Sequence, residues 1–247
     1  MVIGLGPSPA KWMTPEASAA IAAASDIVGY KPYVERLILR TDQRAHTSDN
    51  RQEMDRARLA LKLATEGRAV AVVSAGDPGV FAMAAALFEA IEEDPRWLRL
   101  EIAVAPGVTA MQAAAARLGA PLGHDFCAIS LSDNLKPWAI VERRLRAAAE
   151  ADFVIALYNP VSQARPARIV EAFDLLRTVK VAATPVAFAR AVGRADETLT
   201  LTTLGEADPN LADMATLIII GSSETRFIAR DGARPWMVTP RAYGARR

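Results

Sequence analysis

Three short turns rich in glycine and proline carry the residues whose types and spacing suit ligand binding. They are Gly4-Leu5-Gly6-Pro7, Gly76-Asp77-Pro78-Gly79 and Pro106-Gly107-Val108-Thr109. Glycine lets the main chain approach a ligand closely, and a helix that follows such a turn presents free N–H groups. One turn alone is more often a simple connection, but three of them after successive strands indicate a ligand crevice.

These turns do not follow the common nucleotide-binding patterns. The first turn lacks the third glycine of GxGxxG, and the chain has no GxxxxGK[ST] sequence. Asp77 supplies a carboxylate that we expect either to contact a ligand or to cap the helix that follows. Thr109 has the same two alternatives, because threonine is a good N-cap residue.

The composition restricts the chemistry further. Cys127 is the single cysteine, which excludes an intrachain disulfide, an iron–sulfur cluster and a cysteine-rich zinc site. The two histidines, His46 and His124, are too few for a histidine-built metal centre, so we expect no metal ligands. An organic cofactor, main-chain groups or carboxylates must then supply the chemistry.

Charge and hydrophobicity indicate a folded protein that is not a strongly basic nucleic-acid binder. Lys and Arg number 29 against 28 Asp and Glu, which argues against nucleic acid as a partner. Hydrophobic residues make up 51% of the chain, enough for a packed core. No apolar stretch approaches the ~20 residues that cross a bilayer, and the N-terminus lacks a basic leader, so we expect a cytoplasmic protein without membrane contact.

The first half of the chain alternates strands and helices, which position the three turns. The patterns predict strands at 1–5, 26–29, 69–74 and 101–105, and helices at 14–24, 50–66, 83–91 and 110–118. The run 69–74 is continuously apolar, as is typical of a strand buried on both faces. Strict alternation predicts a parallel sheet, whose strands carry ligands beyond their carboxyl ends.

The second half predicts a different arrangement. Residues 119–123 are interpreted as a linker, followed by strands at 126–131, 153–158, 185–190, 198–203 and 216–220 and by helices at 138–151 and 167–177. The short spacing between 185–190 and 198–203 permits a hairpin and therefore a mixed sheet. We predict two α/β domains, 1–118 and 119–247.

Several runs resemble a known family. IGLGP at 3–7, SAGDPGVF at 74–81 and APGVTA at 105–110 resemble, in order and spacing, the tetrapyrrole methylase superfamily, whose members use S-adenosylmethionine (SAM). The runs LGHDFCAISLSD at 122–133, LYNP at 157–160, TPVA at 184–187 and VGYKPY at 28–33 resemble the members that methylate C17 of precorrin-3B in cobalamin biosynthesis. Ser8 stands where the family usually has glycine.

The resemblance implies the fold and the cofactor site. It implies a two-domain tetrapyrrole methylase fold, with an N-terminal parallel-sheet domain, a C-terminal mixed-sheet domain, and SAM and substrate in the cleft between them. After transfer the cofactor would leave as S-adenosylhomocysteine. Carried over by position, the cofactor contacts would be Pro7, Gly76, Asp77, Val80, Thr109, Ala110, Tyr158, Asn159, Ala187 and Thr216.

The resemblance also implies two chemical steps. Methyl transfer to an electron-rich carbon is an in-line displacement that needs alignment more than a strong base. The accompanying ring contraction, to precorrin-4, needs a proton acceptor and donors. The candidates are His124, Asp125, Ser130, Ser132, Asp133 and Tyr30. His124 is equally interpreted as a structural residue of the linker.

Partners and alternatives follow from the same resemblance. The partners would be a small-molecule tetrapyrrole and a second copy of the chain in a homodimer. Arginines would meet the substrate's carboxylates, with these candidates: Arg51, Arg117, Arg165, Arg190 and Arg194. The alternatives are the cobalt-factor III enzyme of the anaerobic route, another corrin-pathway methylase, diphthine synthase, a ribosomal RNA methylase, and a non-catalytic tetrapyrrole carrier.

Overall fold

The computed structural model describes residues 1–8, 10–161 and 167–244 of the chain. It divides into two compact units, Met1–Ala110 and Met111–Arg247, whereas the sequence prediction placed the boundary between 118 and 119. The helix at Ala110–Leu118 thereby falls almost wholly in the second unit. Pro9 of the first turn and Arg165, one of the candidate arginines, lie outside the described residues.

The first unit contains the predicted parallel sheet. Its strands are β1 (Val2–Gly4), β2 (Asp26–Tyr30), β3 (Arg44–Ser48), β4 (Val70–Ser74) and β5 (Val104–Ala105). They lie in the order β3-β2-β4-β1-β5, and every pair in this sheet is parallel. The loops that follow β4, β1 and β5 therefore leave from neighbouring strands at one edge of the sheet, as the alternation predicted.

Helices cover both faces of this sheet. They are α1 (Pro15–Ala23), α2 (Lys31–Val34), α3 (Glu53–Thr65) and α4 (Met83–Ile91), with 3-10 turns at Ala10–Trp12 and Trp97–Arg99. Thr14 caps α1 as predicted, because its Oγ1 accepts a hydrogen bond from the Ala17 amide at 3.1 Å. Val72 of β4 packs in the cluster with α3 and α4, whereas Val73 packs in the cluster with α1. The continuous apolar run of β4 is thus buried from both sides.

Two elements of the first unit were not predicted, and one prediction was too long. β3 (RAHTS) is an edge strand whose side chains are exposed or half-buried, so it lacks the apolar run of a buried strand. The short helix α2 begins at Lys31, directly after β2. The strand predicted at 101–105 is shorter in the structure, where it covers Val104–Ala105. Residues 101–103 are not in register with a neighbouring strand in the described chain.

The second unit contains a mixed sheet. Its strands are β7 (Phe126–Ser130), β8 (Val154–Tyr158), β9 (Pro185–Arg190), β10 (Thr198–Thr203) and β11 (Thr216–Ile220). They lie in the order β10-β9-β11-β8-β7, where β7 and β8 are parallel and the other pairs are antiparallel. The β9–β10 pair confirms the hairpin that the short spacing permitted.

Three helices accompany this sheet in the described part of the second unit. They are α5 (Ala110–Leu118), α6 (Trp138–Glu150) and α7 (Arg168–Val179), with a 3-10 turn at Pro209–Leu211. The core of the unit joins Leu145 of α6 and Phe173 of α7 to Leu157 of β8 and Phe188 of β9, all of them at most 2% exposed. The ring of Phe173 stacks on that of Phe188 at a centroid distance of 5.9 Å.

The segment predicted as a linker is partly a strand. β6 (Gly119–Ala120) pairs in parallel with β13 (Ala233–Val238), which forms a hairpin with β12 (Arg226–Arg230). The sequence prediction missed this small sheet because β12 and β13 are short, carry several charged residues and are largely exposed. Among the described residues, no helix combines the length and apolar character needed to span a membrane.

A buried carboxylate at the amino end of β2 links this strand to β3 and to the residues just before β4. Asp26 is fully buried and accepts hydrogen bonds from His46 Nε2 at 2.7 Å, Ser25 Oγ at 2.7 Å and Arg68 Nη1 at 3.1 Å. Burial by itself would raise the pKa of Asp26, but these hydrogen bonds outweigh it and lower the pKa to about 2. The ionised carboxylate therefore stabilises the folded state.

We predict that Asp26→Asn destabilises the protein in a pH-dependent way. A pKa that falls from 3.8 to about 2 on folding corresponds to roughly 2 kcal/mol of stability. This contribution is fully present above about pH 4 and disappears as the pH falls through about 2. Urea unfolding of both proteins at a series of pH values should show the difference shrinking toward acid; a difference that stays constant down to about pH 2 would contradict the assignment.

Candidate functional site

The three glycine turns meet at the carboxyl edge of the first sheet. The main chains of Gly6 and Gly76 pair in both directions, with N···O distances of 3.1 and 2.9 Å. Both glycines have positive φ, 68° and 66°, which glycine adopts without steric cost. We call the site formed by Gly4, Gly6, Gly76 and Gly107 the glycine edge.

The glycine edge excludes side chains where the main chains touch. A Cβ at Gly4 would lie 2.7 Å from the Gly107 amide nitrogen and 2.7 Å from the Gly76 carbonyl oxygen. A Cβ at Gly107 would overlap that same carbonyl oxygen. At Gly76, by contrast, the nearest atom to an added Cβ is 3.9 Å away, so a Cβ there would make only ordinary van der Waals contact with the turn after β5. The steric restriction on side chains is therefore severe at Gly4 and Gly107 and mild at Gly76.

The Asp77 carboxylate links two of these turns through hydrogen bonds. Its Oδ1 accepts a hydrogen bond from the Gly79 amide at 2.8 Å, and its Oδ2 accepts one from the Gly107 amide at 2.9 Å. The carboxylate therefore shapes its own turn and holds the turn after β5 against it. The side chain orders the site in addition to any contact it makes with a ligand.

The other predicted residues of the first unit lie around the same edge. Pro7 follows Gly6, Val80 is half-buried in the segment that leaves β4, and Thr109 is buried after β5 with Ala110 beside it. Tyr30 is the last residue of β2, and its ring meets that of Tyr33 edge-to-face at 5.1 Å. The structure therefore gathers these predicted residues at one edge of the sheet.

Phe81 is a feature of this edge that sequence reasoning missed. Its φ of 53° is unusual for a bulky residue, and its side chain is 51% exposed. Strained backbone of this kind concentrates at functional sites. The sequence carries no signal for it, because the strain comes from the path between β4 and α4.

In the second unit, part of the predicted set shares one edge of the mixed sheet. Ser130 is in register with Tyr158, and Ile218 is in register with Leu157, which places Thr216 near Asn159. We call the site formed by Ser130, Tyr158, Asn159 and Thr216 the β8 edge. Asn159 has a φ of 51° and donates a hydrogen bond from Nδ2 to Ser130 Oγ at 2.9 Å.

The polar groups of the β8 edge are held by neighbouring atoms. The Ser132 amide donates to Ser130 Oγ at 3.3 Å, and the Tyr158 hydroxyl accepts from the Met111 amide at 3.1 Å. Thr216 Oγ1 donates to Asp213 Oδ1 at 2.7 Å. These bonds orient the side chains and leave the Ser130 hydroxyl hydrogen available as a donor.

Ala187 and Asp133 occupy different surroundings. Ala187 is fully buried in the middle of β9, where it faces Leu201 on one side and Ile219 on the other. Asp133 accepts a hydrogen bond from Arg168 Nε at 2.9 Å, and the guanidinium of Arg168 also lies over the ring of Trp138 at 4.8 Å. Asp133 is therefore one half of an ion pair.

His124 and Asp125 lie at the opposite end of β7 from Ser130. Asp125 and Ser130 are five positions apart, which is roughly 16 Å along an extended strand. His124 Nδ1 donates to the Asp125 carbonyl at 3.2 Å, Nε2 accepts from Ser222 Oγ at 3.0 Å, and the ring stacks on Tyr243 at 4.9 Å. The structure thus separates these two candidates from the serines that follow them in sequence.

Two of the predicted carboxylate-binding arginines of the second unit are already paired. Arg117 lies 3.0 Å from Glu197, and Arg190 binds both Asp213 at 2.7 Å and Asp196 at 2.9 Å. Arg194 is exposed, as is Arg51 in the first unit. Among the described residues, none of these four arginines is both buried and without a carboxylate partner.

The structure also shows the surroundings of the single cysteine and the spacing of the side chains that could bind metal. Burial raises the pKa of the Cys127 thiol to about 11, which keeps it protonated at neutral pH. Within 1–8, 10–161 and 167–244, no three His, Cys, Asp or Glu side chains are grouped to hold a metal ion.

Comparisons of the sequence and of the structure with known proteins agree on one family. The model of the tetrapyrrole (corrin/porphyrin) methylases matches residues 1–208. A precorrin-3B C(17)-methyltransferase from Sinorhizobium sp. is 61% identical over 243 residues, which are 98% of this chain and 96% of the relative. The crystal structure of the methyltransferase CobJ superposes with a TM-score of 0.92 at 51% identity, covering 97% of this chain and 98% of that one.

A more distant structure shares the fold. Uroporphyrin-III C-methyl transferase from Thermus thermophilus, complexed with S-adenyl homocysteine, superposes with a TM-score of 0.67 at 20% identity, covering 89% of this chain and 95% of that one.

We predict that Gly107→Ala opens the glycine edge. The new methyl group would overlap the Gly76 carbonyl, so the turns must separate at a cost of about 2 kcal/mol. Hydrogen exchange should show faster exchange of the Gly76 amide, which bonds to the Gly6 carbonyl. Gly67→Ala is the control, because an added Cβ there meets nothing within 4 Å and the strain from its positive φ of 80° falls at the end of α3, outside the glycine edge. Equal protection of the Gly76 amide in both variants would refute the steric argument.

Proposed function

The chain belongs to the tetrapyrrole methylase family, and we propose that it transfers a methyl group from SAM to C17 of precorrin-3B. The reaction includes ring contraction to precorrin-4 and belongs to cobalamin biosynthesis. The observation that carries the proposal is the near-full-length identity to the Sinorhizobium precorrin-3B C(17)-methyltransferase. The protein is accordingly a SAM-dependent C-methyltransferase.

The glycine edge suits the cofactor. SAM supplies an activated methyl group on a positively charged sulfur. The main-chain groups of three converging turns, with no side chain on their glycines, fit a ligand held by the backbone. We propose that Pro7, Gly76, Asp77, Val80, Thr109 and Ala110 hold it, and the corresponding contacts of Tyr158, Asn159, Ala187 and Thr216 stay predictions.

Methyl transfer needs little from the side chains beyond placement. C17 of the conjugated macrocycle is electron-rich, so no strong general base is required to attack the methyl group. Alignment of the reacting atoms within ~3.5 Å and exclusion of water supply much of the acceleration. Tightly packed main-chain turns provide rigid placement, because they have few alternative conformations.

Ring contraction requires proton transfer, for which we propose Ser130 and Ser132 with Asp133 nearby. Ser130 lies at the β8 edge, and its oxygen already accepts from Asn159 and the Ser132 amide. Its hydroxyl hydrogen is therefore directed away from these two donors and can be donated to the substrate. Tyr30 of the first unit remains a further candidate. His124 and Asp125 also remain candidates, but packing around the His124 ring favours a structural role.

Two broader features are proposed on the family resemblance alone. The protein would act in the cytoplasm and as a homodimer. Sedimentation of the purified chain would measure the second of these directly.

Turnover tests the proposed function. The purified protein, incubated with SAM and precorrin-3B, should yield a product heavier by one methylene group, detected by mass spectrometry, together with S-adenosylhomocysteine. The absorption spectrum should change as the macrocycle contracts. A tetrapyrrole carrier would bind precorrin-3B without any mass change, and that result would overturn the proposal.

We predict that Asp77→Ala weakens S-adenosylhomocysteine binding at least tenfold, or about 1.4 kcal/mol. The variant loses the acceptor that holds the turn after β5 to the turn after β4. Calorimetric titration measures the dissociation constant. Asp208→Ala is the matched control, since Asp208 also accepts from a main-chain amide two residues later but lies in the second unit at Pro209–Leu211. An unchanged constant in Asp77→Ala would remove this residue from the site.

We predict opposite phenotypes for Ser130→Ala and His124→Gln. Ser130→Ala should lower kcat for the contracted product at least tenfold, within the range of lost proton-transfer groups, with unchanged S-adenosylhomocysteine affinity. His124→Gln should lower Tm, because the stacking of the His124 ring on Tyr243 is lost, while kcat stays near wild type. The reverse pattern would assign the proton transfer to His124.

A further inference from the structure

Arg56 is a buried guanidinium in the first unit whose described hydrogen bonds all go to neutral acceptors. It lies on α3 and is 4% exposed. Its Nε donates to Ser48 Oγ at 2.9 Å, its Nη2 to the Asp49 carbonyl at 2.9 Å, and its Nη1 to the sulfur of Met83 at 3.1 Å. A thioether is a weak acceptor, so this last donor is poorly satisfied.

The positive charge of Arg56 has no carboxylate partner among the described residues. Arg58, two positions along α3, binds Glu93 through two nitrogens, and Arg68 binds the buried Asp26. Glu53, on the same helix, acts on Arg56 only at a distance, and burial lowers the pKa of Arg56. Buried charges are ordinarily paired, because an isolated one loses its hydration without compensation.

The position of Arg56 indicates which group could supply the negative charge that its guanidinium lacks. Ser48 ends β3, and Met83 begins α4 after the segment that contains Asp77 and Phe81. The guanidinium is thus at the carboxyl edge of the sheet, where parallel α/β sheets bind ligands.

We propose that Arg56 binds a carboxylate of the tetrapyrrole substrate, an inference that rests on the proposed function. Precorrin-3B carries acetate and propionate side chains, and a guanidinium can hold one of them through two parallel hydrogen bonds. Two of the five N–H donors of Arg56 make no bond to the described residues. The N–H group that donates to the Met83 sulfur can donate to a carboxylate oxygen instead. Met83 is unbranched and flexible, so its side chain can move aside.

The alternative is that Arg56 only anchors α3 to the loop after β3. An anchor and a substrate-binding group differ in what their removal changes. Loss of an anchor lowers Tm and disturbs the whole edge, including cofactor binding. Loss of a substrate-binding group weakens binding of the tetrapyrrole and leaves cofactor affinity unchanged, even where the lost bonds to Ser48 and Asp49 lower Tm.

The test compares Arg56→Met and Arg56→Lys with Arg58→Met, whose arginine is exposed and already paired. For each protein, KM for precorrin-3B is measured at saturating SAM, the S-adenosylhomocysteine dissociation constant by calorimetry, and Tm by circular dichroism. We expect Arg56→Met to raise KM at least tenfold with unchanged cofactor affinity, whether or not the lost bonds to Ser48 and Asp49 lower Tm. Arg56→Lys should be intermediate, since lysine keeps the charge without the planar pair of donors. Arg58→Met should match the wild type.

The outcomes separate this inference from the function beneath it. A wild-type protein that does not methylate precorrin-3B overturns both. Wild-type turnover with an unchanged KM in Arg56→Met overturns the inference alone, as does a higher KM accompanied by equally weakened cofactor binding. If Arg56→Met does not fold, a raised KM with normal cofactor affinity in Arg56→Lys supports the inference, and a normal KM overturns it.

Discussion

The close approach of three main chains at the glycine edge is the constraint on which the site depends. β1 lies between β4 and β5, so the loops after these strands leave the sheet side by side. At this spacing Gly4, Gly76 and Gly107 contact one another through backbone atoms, and a Cβ at Gly4 or Gly107 would force the loops apart. Asp77 then fixes the arrangement, since each of its oxygens accepts from a different turn.

The two ends of the first sheet serve different purposes. At the amino end, Asp26 is buried with His46, Ser25 and Arg68 around it, and its charge is fully compensated. At the carboxyl end, Arg56 is buried without a carboxylate from the described chain, and Phe81 has a strained backbone. The folded chain compensates the charge of Asp26 by itself, whereas the proposal for Arg56 assigns the compensating charge to a carboxylate of the substrate.

The sequence predicted the parts of the fold whose signals are local. Gly76 and Gly107 were located because turns between buried strands carry a strong pattern, and β4 because both of its faces are apolar. β3 was missed because an exposed edge strand has no such pattern. The small sheet of β6, β12 and β13 was missed for the same reason.

Site prediction was limited by distances that sequence spacing does not give. Asp125 and Ser130 are close in sequence, yet a strand holds them at opposite ends of β7. Arg56 was not among the candidate arginines, because an arginine within an amphipathic helix ordinarily faces solvent. Its burial results from Ser48, Asp49 and Met83, which the fold brings together from separate segments.

Hydrogen exchange with and without S-adenosylhomocysteine tests most directly whether the glycine edge is the cofactor site. The account predicts that the ligand slows exchange in 4–8, 75–82 and 106–110 together, while the amides around Asp26 at the other end of the sheet are unchanged. Binding that leaves all three segments unprotected, or that protects the Asp26 end instead, would contradict it.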